Sequence, residues 1–127
     1  MADPDLALSA YLQLAAISHA RGQWLPRNKF LILAGASACV AGWLAVAERC
    51  RELVRAHSPN HMLGRYESFA DALKSTEFQT YYKQLKKFCS TERAEHLLVG
   101  QGYQLDSATE LSANQALRNM EGRGNDE

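Results

Sequence analysis

The sequence predicts an all-α protein, a compact bundle of five or six short helices around a central helical hairpin. Apolar residues recur at three- and four-residue steps through most of the chain, the period of a helix face. Val and Ile are few, and no alternating run is bounded by hairpin turns, so no strand is expected. At 127 residues, with 46% hydrophobic and 22% charged, the chain suits one globular domain with a real core rather than a fibre or a disordered tract. Residues 1–100 are expected to form a single helical domain, 101–120 a weakly helical C-terminal segment, and 121–127 a flexible tail.

The first helix opens at Asp3-Pro4, an acidic N-cap followed by proline at the first helical position. Leu6 to Ala20 then carries no formal charge with His19 neutral, and Arg21-Gly22 closes it. Such a helix must bury much of its circumference against the hairpin or another subunit. Trp24-Leu25-Pro26 is expected to be a turn, with Asn28 capping the next helix.

The longest uncharged stretch, Phe30 to Ala47, decides how the centre is read. At about 1.5 Å per residue it would extend roughly 27 Å, just short of a hydrocarbon core of about 30 Å. Its Phe, Leu, Ile and Val side chains contribute only roughly −2 to −4 kcal/mol toward insertion, so a membrane span is marginal. Periodicity argues for a split. From Trp43 a new stripe begins with Val46, Ala47, Cys50, Leu53, Val54 and His57, while Glu48, Arg49, Arg51, Glu52 and Arg55 fall on the other side. Phe30 to Ala41 is apolar nearly all round, as in a helix at a bundle's centre. Gly42 stands at the junction, where a helix end often needs positive φ.

Gly35, Gly42, Ala47 and Pro59 recur at the intervals where tetratricopeptide-type repeats place small residues, a turn glycine, a second-helix alanine and a terminal proline. Residues 29–59 resemble one such helical hairpin, although Leu31, Ala34, Ala38 and Arg51 stand where that pattern carries Trp, Leu, Tyr and an aromatic. The resemblance implies a tetratricopeptide-like scaffold that binds peptides or partner proteins.

Beyond Pro59, Asn60 to Glu67 is irregular and pivots at Gly64. Ser68 with Asp71 suggests a short capped turn through Leu73. Ser75 opens the clearest helix of the second half, with Phe78, Tyr81, Tyr82, Leu85 and Phe88 on one stripe and Lys83, Lys86 and Lys87 beside it. Ser90 can cap a further helix ending near Val99-Gly100, with Leu97 and Leu98 inward. Ala108 to Met120 forms the last helical stretch.

The motifs that carry chemistry are missing. His57 and His61 are four apart, but Ser58-Pro59-Asn60 breaks the helix between them. Glu92 and His96 lack the further inward carboxylates of a di-metal bundle. No G-x-S-x-G elbow or phosphate-binding glycine loop occurs, and Cys89 has no local partner signature. Cys39, Cys50 and Cys89 are widely spaced and read as small buried residues of a reducing compartment. No catalytic, metal or cofactor residue is assigned. Lysine plus arginine equals aspartate plus glutamate at 14 each, giving a formal net charge of +0 and no global field toward nucleic acid or anionic lipid.

The candidate partner surface is the loop after the hairpin, where His61, Met62, Arg65 and Tyr66 follow Arg51 and Arg55, because Arg and Tyr are enriched at energetic contacts. Arg51, Arg55, His61, Arg65 and Tyr66 are therefore the expected partner-binding residues. The acidic start, Met-Ala-Asp-Pro-Asp, lacks the positive region of a secretory signal and favours the cytoplasm. The function expected is a small interaction domain, an adaptor or scaffold, binding a protein partner or itself. The alternatives are a membrane-associated protein using residues 30–47, and an enzyme or small-ligand binder with a pocket in the bundle.

Overall fold

Every residue from Phe30 to Ala38 is buried, which makes their helix the axis of the fold. The computed structural model describes residues 4–121, and among them the chain forms helices with no strand. They are α1 (Pro4–Ala20), α2 (Trp24–Ala41), α3 (Leu44–His57), α4 (Phe69–Leu73), α5 (Thr76–Phe88), α6 (Thr91–Gly100) and α7 (Glu110–Met120), with a 3₁₀ turn at Met62–Arg65. Helices α1, α3, α4 and α5 all pack on α2, while α6 packs on α1 and α7 on both α1 and α3. The all-α bundle expected from periodicity is the fold observed.

The uncharged run is two helices, not one. Gly42 adopts φ +88° and its N–H reaches back to the Cys39 carbonyl at 3.1 Å, while Trp43 N–H reaches Ala38 at 2.8 Å. Those bonds satisfy carbonyls that the end of α2 would otherwise leave open. Helix α3 then returns antiparallel, burying Val46, Ala47, Cys50, Leu53 and Val54 along the stripe read from the sequence. No helix among the described residues is long and apolar enough to cross a membrane.

Two local expectations are corrected. Trp24-Leu25-Pro26 is the first turn of α2 rather than a separate turn. Pro26 is tolerated there because first-turn N–H groups have no intrahelical acceptor, so its missing donor costs nothing. Asn28 is not a cap; it is buried one turn further on, and the N-cap position falls to Gln23. The serine caps are as expected: Ser68, Ser75 and Ser90 accept from the backbone N–H of Asp71, Phe78 and Arg93 at 3.1, 3.4 and 3.2 Å.

The aromatic stripe of α5 is inward at Phe78 and Leu85, but Phe88 is 40% exposed. It closes the helix, with its ring against Phe30 at 5.6 Å and the Lys29 ammonium 4.7 Å above it. Tyr11 of α1 anchors the next helix, its hydroxyl donating to the Cys89 carbonyl at 2.9 Å.

Residues 101–109 run without helix, and α7 begins with a reciprocal cap. Thr109 accepts from Ser112 N–H at 3.0 Å and its own N–H donates to Ser112 Oγ at 2.9 Å. Ala113, Leu117 and Met120 are buried, Ala108 N–H bonds the Asp5 carbonyl at 3.1 Å, and Arg49 pairs with Glu121 at 3.3 Å. These contacts join the C-terminal segment to the same core. The proposed Asp3 cap and residues 122–127 of the expected tail lie outside the described residues.

Candidate functional site

The five residues expected to bind a partner are drawn together by the segment from Ser58 to Ser68, which straps α3 to α5. Arg51 is 8% exposed rather than solvated. Its Nη1 pairs with Glu48 at 3.3 Å and its Nη2 donates to the Tyr66 carbonyl, while Glu48 Oε2 accepts from the Phe69 backbone N–H. The periodicity placed Arg51 on the charged face of α3; the strap passes over that face and takes up the guanidinium, which buries it.

His61 is half-buried. Its Nδ1 accepts from Leu63 N–H at 3.1 Å, and its Nε2 lies 3.3 Å from the Tyr81 hydroxyl. Burial pushes its pKa below the ordinary histidine value. The Tyr66 hydroxyl donates to Ser75 Oγ at 3.0 Å, and its ring stands on the edge of Phe78 at 6.2 Å. Arg55 and Arg65 remain at the surface. Arg55 lies along Gly64, where a Cβ would meet its Nε at 3.2 Å, and Arg65 pairs with Glu77 at 3.3 Å with both side chains in water. Arg51, His61 and Tyr66 are thus engaged inside the molecule, while Arg55 and Arg65 face outward.

A second polar cluster, not singled out by the sequence, closes the end where α1, α2 and α3 meet. Arg27 and Asn28 are 4% and 5% exposed. Arg27 donates through Nε and Nη2 to Asn28 Oδ1 at 3.2 and 2.9 Å, through Nη2 to the Leu53 carbonyl at 3.1 Å, and through Nη1 to His19 Nδ1 at 3.1 Å. Asn28 Nδ2 lies 3.0 Å from His57 Nδ1 and 3.3 Å from Ser58 Oγ. Trp24 meets His19 edge-on at 5.0 Å and His57 at 5.8 Å, with Arg27 5.2 Å from its ring centre.

No carboxylate forms an ion pair with Arg27 among the described residues. Burial lowers its pKa accordingly. The Leu53 carbonyl of α3 and the His19 ring near the end of α1 accept from the guanidinium instead, close to two helix C-termini whose dipoles favour a cation. The signal available beforehand was faint: one arginine and one asparagine inside an apolar helix.

No group of three or more His, Cys, Asp or Glu side chains that could hold a metal exists among the described residues. Glu92 and His96 stand on the exposed face of α6. The three cysteines are free thiols, and burial raises the pKa of each, Cys39 to about 11 with Glu48 adding to it. An open groove of about 380 Å³ runs between α1 and α7, but Asp106 is the single ionisable side chain lining it, so it offers no acid–base pair.

The remaining feature is apolar. At the α2–α3 turn, Val40 is 73% and Leu44 54% exposed, and Leu111 at the start of α7 is 80% exposed. The Ala108–Asp5 bond puts the start of α7 beside the start of α1, which lies against the end of α2 because the two helices are antiparallel neighbours. All three side chains therefore belong to one end of the bundle, opposite the Arg27 cluster. Compared with family models, curated proteins and solved structures, the chain matches none.

Proposed function

We propose that the chain is a cytoplasmic protein-interaction module, an adaptor or scaffold, whose contact surface is this apolar end of the bundle and whose partner there is a second copy. The observation that supports the reading is the exposure of Val40, Leu44 and Leu111 on a surface where residues 40–45 carry no charge. Apolar side chains gathered at one end mark a contact surface more often than single ones scattered about. Glu110 beside Leu111 is exposed, so the charge-free part of this surface is the α2–α3 turn, where a two-fold contact sets no like charges against each other. The long uncharged faces of α1 and α2 do not supply the surface, because α6, α7 and the two helices themselves cover them.

Sedimentation velocity across a hundredfold concentration range tests this. The native chain should associate as concentration rises. Val40→Asp combined with Leu44→Asp should remain monomeric with an unchanged circular dichroism spectrum, since neither side chain is in the core. A native chain that stays monomeric throughout would overturn the reading.

A further inference from the structure

Positive and negative charges cancel in number but not in place. Residues 18–30 carry Arg21, Arg27 and Lys29 with no acid, and residues 78–91 carry Lys83, Lys86 and Lys87 with none. By contrast, residues 31–47 carry no charge, and residues 98–117 hold Asp106 and Glu110 with no Lys or Arg. The fold turns this pattern into two unlike ends. Helix α5 packs on α2, and its last residue, Phe88, meets Phe30 at 5.6 Å with the Lys29 ammonium 4.7 Å over its ring. That contact joins the first turns of α2 to the end of α5, so the two acid-free segments make one basic surface beside the Arg27 cluster.

Five cations of this surface, Arg21, Lys29, Lys83, Lys86 and Lys87, are exposed, and none forms an ion pair among the described residues. Apolar carbon stands among them. Phe88 is 40% exposed, and Leu25, one turn before Lys29 on the same face of α2, is 69% exposed.

We propose that this basic surface docks on an anionic lipid bilayer, with Leu25 and Phe88 entering the headgroup region and the cations set against acidic headgroups. Bilayers of that kind hold a peripheral protein by charge and hydrocarbon contact together, and this surface offers both. Four of its five exposed cations are lysines, compact charges on flexible stems that can follow mobile headgroups. A nucleic acid fits the surface less well. Bases stack on open aromatic faces, whereas Lys29 already stands over Phe88, and Lys86 stands over Tyr82 at 5.8 Å. Leu25 would meet nothing apolar in a phosphate backbone. The end that exposes Val40, Leu44 and Leu111 is wrong for an anionic bilayer, because Glu110 beside Leu111 would face a surface of its own sign. Docking therefore does not depend on self-association at that end.

Co-sedimentation of the whole chain with large unilamellar vesicles tests the proposal. The chain should partition onto vesicles of phosphatidylcholine mixed with phosphatidylserine, at least about tenfold more weakly onto phosphatidylcholine alone, and less as salt rises. Each lysine near the bilayer is worth about fivefold, so Lys86→Gln combined with Lys87→Gln should weaken partitioning about twentyfold. Leu25→Ser should weaken it by a similar factor at low and high salt, since hydrocarbon contact is not screened. Val40→Ser combined with Leu44→Ser should bind like the native chain even if it no longer self-associates. All of these side chains are exposed, and circular dichroism spectra should stay unchanged. Absence of vesicle binding, equal binding to phosphatidylcholine alone, or native-like binding by the double lysine variant overturns the proposal. So does an equal loss in the Val40 and Leu44 variant, or retention on duplex or single-stranded nucleic acid with none on vesicles.

Discussion

The ring of Phe69 lies directly on the backbone of Gly35, so close that a Cβ at position 35 would overlap three ring carbons. Helix α4 is therefore seated on α2 through a missing side chain. Phe69 is fully buried, with the Phe78 ring edge-on at 6.0 Å, so a shift of its ring must displace packed neighbours. Gly35→Ala should destabilise the fold by about 1–3 kcal/mol, the usual cost of overpacking, despite alanine's better helix propensity. Urea denaturation measures this. Adding Phe69→Leu should recover part of the loss, because the two positions share one contact.

Arg51 and Glu48 tie the strap to α3. Arg51→Met keeps the stem but removes the donor to the Tyr66 carbonyl and leaves Glu48 without its cation. Breaking a buried pair costs about 3–5 kcal/mol, and with Glu48 still 33% in water a loss of about 2–3 kcal/mol is expected. The Arg51 Nε has no acceptor, so removing it offsets a little of that loss. Glu48→Gln should cost less, since an amide oxygen can still receive the Phe69 N–H. Equal losses in the two variants would contradict the assignment of Arg51 to the strap.

The thiols should be inert in the folded chain. Burial raises Cys39 from 9.0 to about 11, which lowers its reactive thiolate fraction about a hundredfold relative to an unperturbed thiol. Cys50 and Cys89 are also pushed up and are buried besides. Iodoacetamide at pH 7.5 should label all three rapidly in denaturant and slowly without it. Fast native labelling at Cys50 would show that α3 opens more readily than its packing on α2 implies.

What was legible in the sequence was local. Serine caps, the αL glycine at position 42 and the α3 stripe depend on neighbours three or four residues away, and they stand where the spacing placed them. The Ser58–Ser68 strap was not legible, because it folds back over α3 through contacts such as Arg51–Tyr66, fifteen residues apart. That return turns Arg51 from a surface residue into an internal tie. Phe88 shows the same limit: periodicity assigns a face, but a helix's last residue often outlasts the neighbour that would cover it. The Arg27 cluster was hidden for the opposite reason, since a polar pair within an apolar helix reads as a cap until α1 and α3 supply acceptors.

His61 gives a pH dependence whose sign follows from its burial. Its folded pKa is depressed, whereas in the unfolded chain it titrates near about 6.5. The unfolded state then binds the proton more readily, so stability from this group is complete above about pH 6.5 and is lost as pH falls toward the lowered folded value. Geometry agrees, since Nδ1 must stay unprotonated to accept from Leu63 N–H. His61→Asn keeps a short acceptor for the 3₁₀ turn but does not titrate. Urea midpoints measured from about pH 7.5 to 5 should therefore fall less steeply for His61→Asn than for the native chain. Identical slopes would mean that His61 takes up its proton in the fold as readily as in the unfolded chain, and that the 3₁₀ turn does not depend on its cap.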